Sequence, residues 1–126
     1  MKLEVGMYVR TDDGYIFQIK ELLEKGKYND SDNKIVQRFR IDGMYQKNED
    51  YIETDYMYSD WIKKASHNII DLIDVGDIVI TPLGEIIQPY GGNIDELKDY
   101  WKITNNPIKS IVTKEQFESI KYSLEG

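Results

Sequence analysis

A chain of 126 residues, 31% charged and 40% hydrophobic, has the make-up of one folded domain or of two small units and is too apolar for disorder. The absence of cysteine excludes disulfides, thiolate nucleophiles and cysteine-ligated zinc. A net charge of −7 opposes direct binding of nucleic acid, which depends on Lys and Arg neutralising phosphates, and favours basic partners instead.

The first predicted element is a hairpin over residues 4–18. A β-prone stretch runs from Met7 to Thr11, Asp13-Gly14 supplies a turn with φ > 0, and Tyr15-Ile16-Phe17 begins the return strand. The same pattern recurs without a gap at residues 74–88, where Pro82-Leu83-Gly84 makes the turn. Seven of the fifteen positions are identical: Val5/Val75, Gly6/Gly76, Val9/Val79, Thr11/Thr81, Gly14/Gly84, Ile16/Ile86 and Gln18/Gln88. Such a repeat predicts two related units, residues 1–73 and 74–126.

Residues 19–25 fit either a continued strand or a short helix ended by Gly26. A polar loop over 28–34 and a strand over 35–41 are expected next. The segment 43–61 then stands apart, with five acidic residues against one lysine and four of the chain's ten tyrosines. Glu49, Asp50, Tyr51, Glu53, Asp55, Tyr56, Tyr58, Asp60 and Trp61 are therefore the candidate partner-binding residues, since Tyr and Trp give large contact area at interfaces. If 51–58 is a strand, Glu53 and Asp55 lie about 7 Å apart on a solvent face. Ile52, Thr54, Tyr56 and Tyr58 then face the core.

Each unit is expected to end with a short strand, a capped helical turn and a last strand. Ser66 begins a single turn and Ile70–Ile73 is the closing strand of the first unit. Thr113 with Gln116 fits a capping box before a closing strand over 120–124. In the second unit Asn93 is placed to cap a helix over 94–101, and Asn105-Asn106-Pro107 marks a turn. Tyr90, Asn93 and Trp101 form a secondary candidate site, at a glycine turn leading into that helix.

Catalytic and metal signals are thin. Ser66 and His67 are adjacent and would point to opposite faces of a strand, and Asp71 lies within reach of His67 only on a helical turn. Asp30-Ser31-Asp32-Asn33-Lys34-Ile35 starts like a calcium loop but puts Lys at a ligand position and Ile at the required glycine. Asp12-Asp13 and Glu49-Asp50 are neighbours rather than a spaced catalytic pair. No catalytic residue, metal site or cofactor is expected, and the reading is of a protein that is not an enzyme.

The order of elements resembles that of an SH3-like small barrel, so the expected fold is mainly β with short helices, as two such barrels packed in tandem. Residues 62–77 and 108–119 resemble a group of small acidic proteins of clostridial and related phages and prophages. That resemblance implies a protein acting in a bacterial host cytosol, among which inhibitors of nucleic-acid-targeting defence (anti-CRISPR proteins) are found. The leading expectation is such an inhibitor, with an acidic, tyrosine-rich surface that meets a basic protein partner. A self-associating scaffolding module and a binder of a small molecule such as a nucleotide signal are the alternatives. A homo-oligomer is compatible with each, and neither direct nucleic-acid binding nor a membrane role is expected; apolar runs such as Ile78-Val79-Ile80 are far too short to cross a bilayer.

Overall fold

The computed structural model describes residues 2–27, 34–47, 52–104 and 108–118. It is mainly β, with two antiparallel sheets and short helices. The chain divides into two compact units, Met1–Asn68 and Ile69–Gly126. Residues 28–33 of the loop expected over 28–34, the turn at 105–107 and the closing strand over 120–124 lie outside the described residues.

The first unit contains β1 (Tyr8–Thr11), β2 (Ile16–Lys27), β3 (Ile35–Tyr45), β4 (Thr54–Tyr58) and β5 (Ile62–Ser66), in the sheet order β4-β3-β2-β1-β5. Residues 19–25 continue β2, and Gly26 pairs with Val36 instead of ending a helix. Val9, Ile19, Phe39, Ile41, Tyr45 and Met57 form the core with Leu3 and Met7. Gly43 lies against Phe17, whose ring carbon would stand 3.1 Å from any Cβ added there.

The second unit has β6 (Ile78–Ile80), β7 (Ile86–Ile87), an α-helix α1 (Ile94–Thr104) and β8 (Ser110–Val112), with β6 central in a three-stranded sheet. Leu97 and Trp101, one helical turn apart on α1, pack with Ile70, Ile73 and Val79. Ile69–Leu72 is a 3₁₀ turn and not the closing strand that the sequence suggests. Three residues per turn bring Ile70 and Ile73 to the same side, where both are buried in this core.

The repeat is built from the same hydrogen bonds in both copies. Gly6 and Gly76 share φ +92°, and Gly14 and Gly84 have φ +89° and +86°, a region that favours glycine. Gly14 and Gly84 donate to the carbonyls of Thr11 and Thr81. The Thr11 and Thr81 hydroxyls accept from the N–H of Tyr15 (2.9 Å) and Glu85 (3.1 Å). Gln18 and Gln88 donate to the carbonyls of Gly6 (3.1 Å) and Gly76 (3.2 Å). The third strand joins both hairpins in the same way: Val9 faces Ala65, and Val79 faces Ile111.

The copies part company at Ile19 and Pro89. Ile19 donates its N–H to the Met7 carbonyl at 2.8 Å and β2 runs on. Pro89 has no N–H to donate, and β7 stops short of it. After β8, the capping box is present: the Thr113 hydroxyl accepts from Gln116 N–H at 3.3 Å, and the Gln116 side chain accepts from Thr113 N–H at 3.1 Å. Among the described residues no helix is long and apolar enough to cross a membrane.

Candidate interaction cleft

Phe39 and Met57 pair across β3 and β4, and both are fully buried. That register sends Arg38, Arg40, Tyr56 and Tyr58 to the opposite face. The expectation that the tyrosines face the core is therefore corrected: the single thioether of Met57 fills the core, and the phenols stay half-exposed. The Arg38 guanidinium sits 4.3 Å above the Tyr56 ring and bonds Glu24 at 2.8 Å. Arg40 binds Asp55 at 2.6 Å and Glu21 at 3.3 Å. Asp55 is thus an ion-pair partner of β3 more than an open acid, whereas Glu53 is exposed. Glu49, Asp50 and Tyr51 lie outside the described residues.

Asp60 and Trp61 have a different setting. They belong to the 3₁₀ turn Ser59–Trp61 that links β4 to β5. This turn faces the hairpin tip, Asp12 and Asp13, and the end of β3, Tyr45 and Lys47, around a cleft of about 350 Å³. Tyr45 is buried at its base, in contact with Trp61 (ring centroids 6.0 Å), Phe17 (5.9 Å) and Tyr15 (5.7 Å). Tyr58 braces Trp61 as well, in an edge-on contact with ring centroids 4.9 Å apart. Lys47 places its ammonium 4.5 Å above the Trp61 ring.

The carboxylates of the cleft are held in two ways. Asp13 accepts from the Tyr45 hydroxyl, 3.0 and 3.1 Å from its two oxygens, and from the Thr11 hydroxyl. Asp12 and Asp60 are exposed, and among the described residues no ion pair engages either of them. Burial first, and the bond to Asp13 second, hold the Tyr45 phenol well above the usual phenol range. Among the described residues no three His, Asp or Glu side chains are grouped closely enough to hold a metal ion.

The raised phenol has a stability consequence with a definite sign. Folding holds the Tyr45 proton more tightly than the unfolded chain does, so its contribution is full below about pH 10 and falls as pH rises toward the folded value. In urea midpoints measured from pH 8 upward, the wild type should lose stability above about pH 10 more steeply than Tyr45→Phe. Parallel profiles for the two proteins would refute the assignment.

The secondary candidates do not form a comparable site. Asn93 precedes α1, but its side chain turns back to accept the Tyr90 N–H at 2.9 Å. Tyr90 is exposed, while Trp101 is buried in the core of the second unit because it lies one turn beyond Leu97 on the inward face of α1. His67 faces Glu4 at 3.4 Å, the Ser66 hydroxyl accepts the Asn68 N–H at 3.1 Å, and Asp71 pairs with Lys102.

Sequence reasoning missed Asp12 and Asp13 as site residues and gave Tyr45 and Lys47 no role of their own. A signal was present: the tip reads Asp12-Asp13 in one copy and Pro82-Leu83 in the other, inside hairpins that otherwise match. Comparison with family models, with curated proteins and with solved structures found no match to this chain.

Proposed function

We propose that the protein is a non-enzymatic interaction protein that captures a basic protein surface through the cleft of its first unit. The observation that carries this reading is the joining of two open carboxylates, Asp12 and Asp60, to a braced Trp61 over a buried Tyr45. An acid rim with an aromatic wall recognises cationic side chains by charge and by the ring face together. The overall charge of −7 steers such partners toward it. Inhibition of a host nucleic-acid-targeting defence is the biological form of this reading, with the acids set where a nuclease would meet phosphates. The sheet order β4-β3-β2-β1-β5, with a 3₁₀ turn before β5, supports describing the first unit as SH3-like. For the second unit that description rests on the shared hairpin and its third strand.

The test is co-purification from host lysate with the wild type and with Asp12→Lys/Asp60→Lys, each at low and high salt. The wild type should retain a basic nucleic-acid-binding protein that high salt releases. The double variant, still folded by circular dichroism, should lose about tenfold or more in affinity for it. Equal retention by both proteins would overturn the cleft as the site, and self-association alone would favour a scaffolding role.

A further inference from the structure

Lys47 takes the ring face of Trp61 with its ammonium 4.5 Å from the centroid, yet it makes no ion pair with the acids of the same cleft among the described residues. The ring face is thereby occupied while Asp12 and Asp60 stay open. A cation reaching the cleft from outside has to displace Lys47 from the ring, and it gains by satisfying the carboxylates that Lys47 leaves unmet.

We infer that Lys47 is an internal occupant of a guanidinium site, released when an arginine of a basic protein partner stacks on Trp61 and bonds Asp12 and Asp60. This rests on the cleft being the binding site proposed above. Arginine suits the site better than lysine for three reasons. Its planar group stacks on an indole, its N–H fork reaches carboxylates while stacked, and it sheds water more easily than an ammonium. Lys47 thus sets a threshold: isolated cations compete poorly with a tethered one, and a partner that presents several arginines prevails.

The probe is a fluorescein-labelled hexa-arginine peptide, followed by anisotropy at low ionic strength. Lys47→Gln should tighten binding about 3- to 10-fold, as expected for loss of one competing cation–ring contact. Lys109→Gln, which makes the same charge change on an exposed lysine of the second unit, should shift it less than twofold. Lys47→Arg keeps the charge and should weaken binding, because the internal occupant then has the favoured chemistry. Unlabelled hexa-arginine should displace the probe at lower concentration than hexa-lysine.

The outcomes separate the two proposals. If Asp12→Asn/Asp60→Asn weakens binding but Lys47→Gln matches Lys109→Gln, the displacement of Lys47 is refuted and the cleft stands. If hexa-lysine competes as well as hexa-arginine, the guanidinium assignment fails. If Asp12→Asn/Asp60→Asn binds the probe as the wild type does, the cleft itself is excluded and this inference falls with it.

Discussion

Asp77→Ala should remove about 2–4 kcal/mol from the stability of the second unit. Asp77 is completely buried, and its two carboxylate oxygens accept separate backbone N–H groups, Lys114 at 2.9 Å and Asp74 at 2.7 Å. Lys114 opens the helical residues 114–118, so the carboxylate also faces the positive end of that turn. Hydrogen bonds to a charged acceptor contribute about 1.5–3 kcal/mol each. Relief of the buried charge offsets part of that on substitution, which leaves the net figure below the sum of two such bonds. Asp77→Asn should also destabilise, since its amide nitrogen must face one of the two N–H donors. Urea unfolding gives the magnitude, and hydrogen exchange should show the Asp74 and Lys114 amides opening first. Slow exchange at both amides in Asp77→Ala would show that the carboxylate does not hold them.

Phe39→Ala should cost the first unit about 3–5 kcal/mol. Phe39 is fully buried on β3 opposite Met57 of β4, within a core that also holds Val9, Ile19 and Ile41. A unit of this size has a marginal reserve of stability, so the loss should bring its melting transition close to working temperature. Ile35→Ala on the same strand is the control, because Ile35 is 70% exposed and should change stability by only about 0.5 kcal/mol. Similar midpoints for the two variants in chemical denaturation would place the core of this unit elsewhere.

The hairpins were legible because their identities answer to the backbone. Glycines 6, 14, 76 and 84 all take positive φ, and the paired Thr and Gln residues satisfy the same peptide groups in each copy. Local chemistry of that kind leaves its mark within a few residues. Asp77 was not legible for the opposite reason. Its counterpart Met7 receives the Glu4 N–H on sulfur at 3.2 Å, so an equivalent peptide group is satisfied by unlike side chains. Its second partner, Lys114, is 37 residues away along the chain, and a lone Asp in sequence reads as solvated charge.

The register of β4 misled because both of its faces carry an attractive core residue. Tyr56 and Tyr58 outweigh Met57 in any reading by aromatic content, and the choice was made by the Phe39–Met57 pairing with β3. The cleft was only half legible. Asp60 and Trp61 stood out in an acidic, aromatic segment, but Asp13 and Tyr45 meet through a bond between a turn and a strand 32 residues apart. The boundary between the units follows the same lesson: Ile70 and Ile73 pack with Val79 and Trp101, which draws residues 69–73 into the second unit.

Each unit contains one of the chain's two tryptophans, and they sit in opposite surroundings. Trp101 is sealed among aliphatic side chains, while Trp61 is half-open beneath an ammonium group. The chain's fluorescence is therefore two signals of different colour, a blue one from the interior of one half and a redder one from the cleft of the other. Events at the cleft and the integrity of the second half can be followed in a single spectrum without any label.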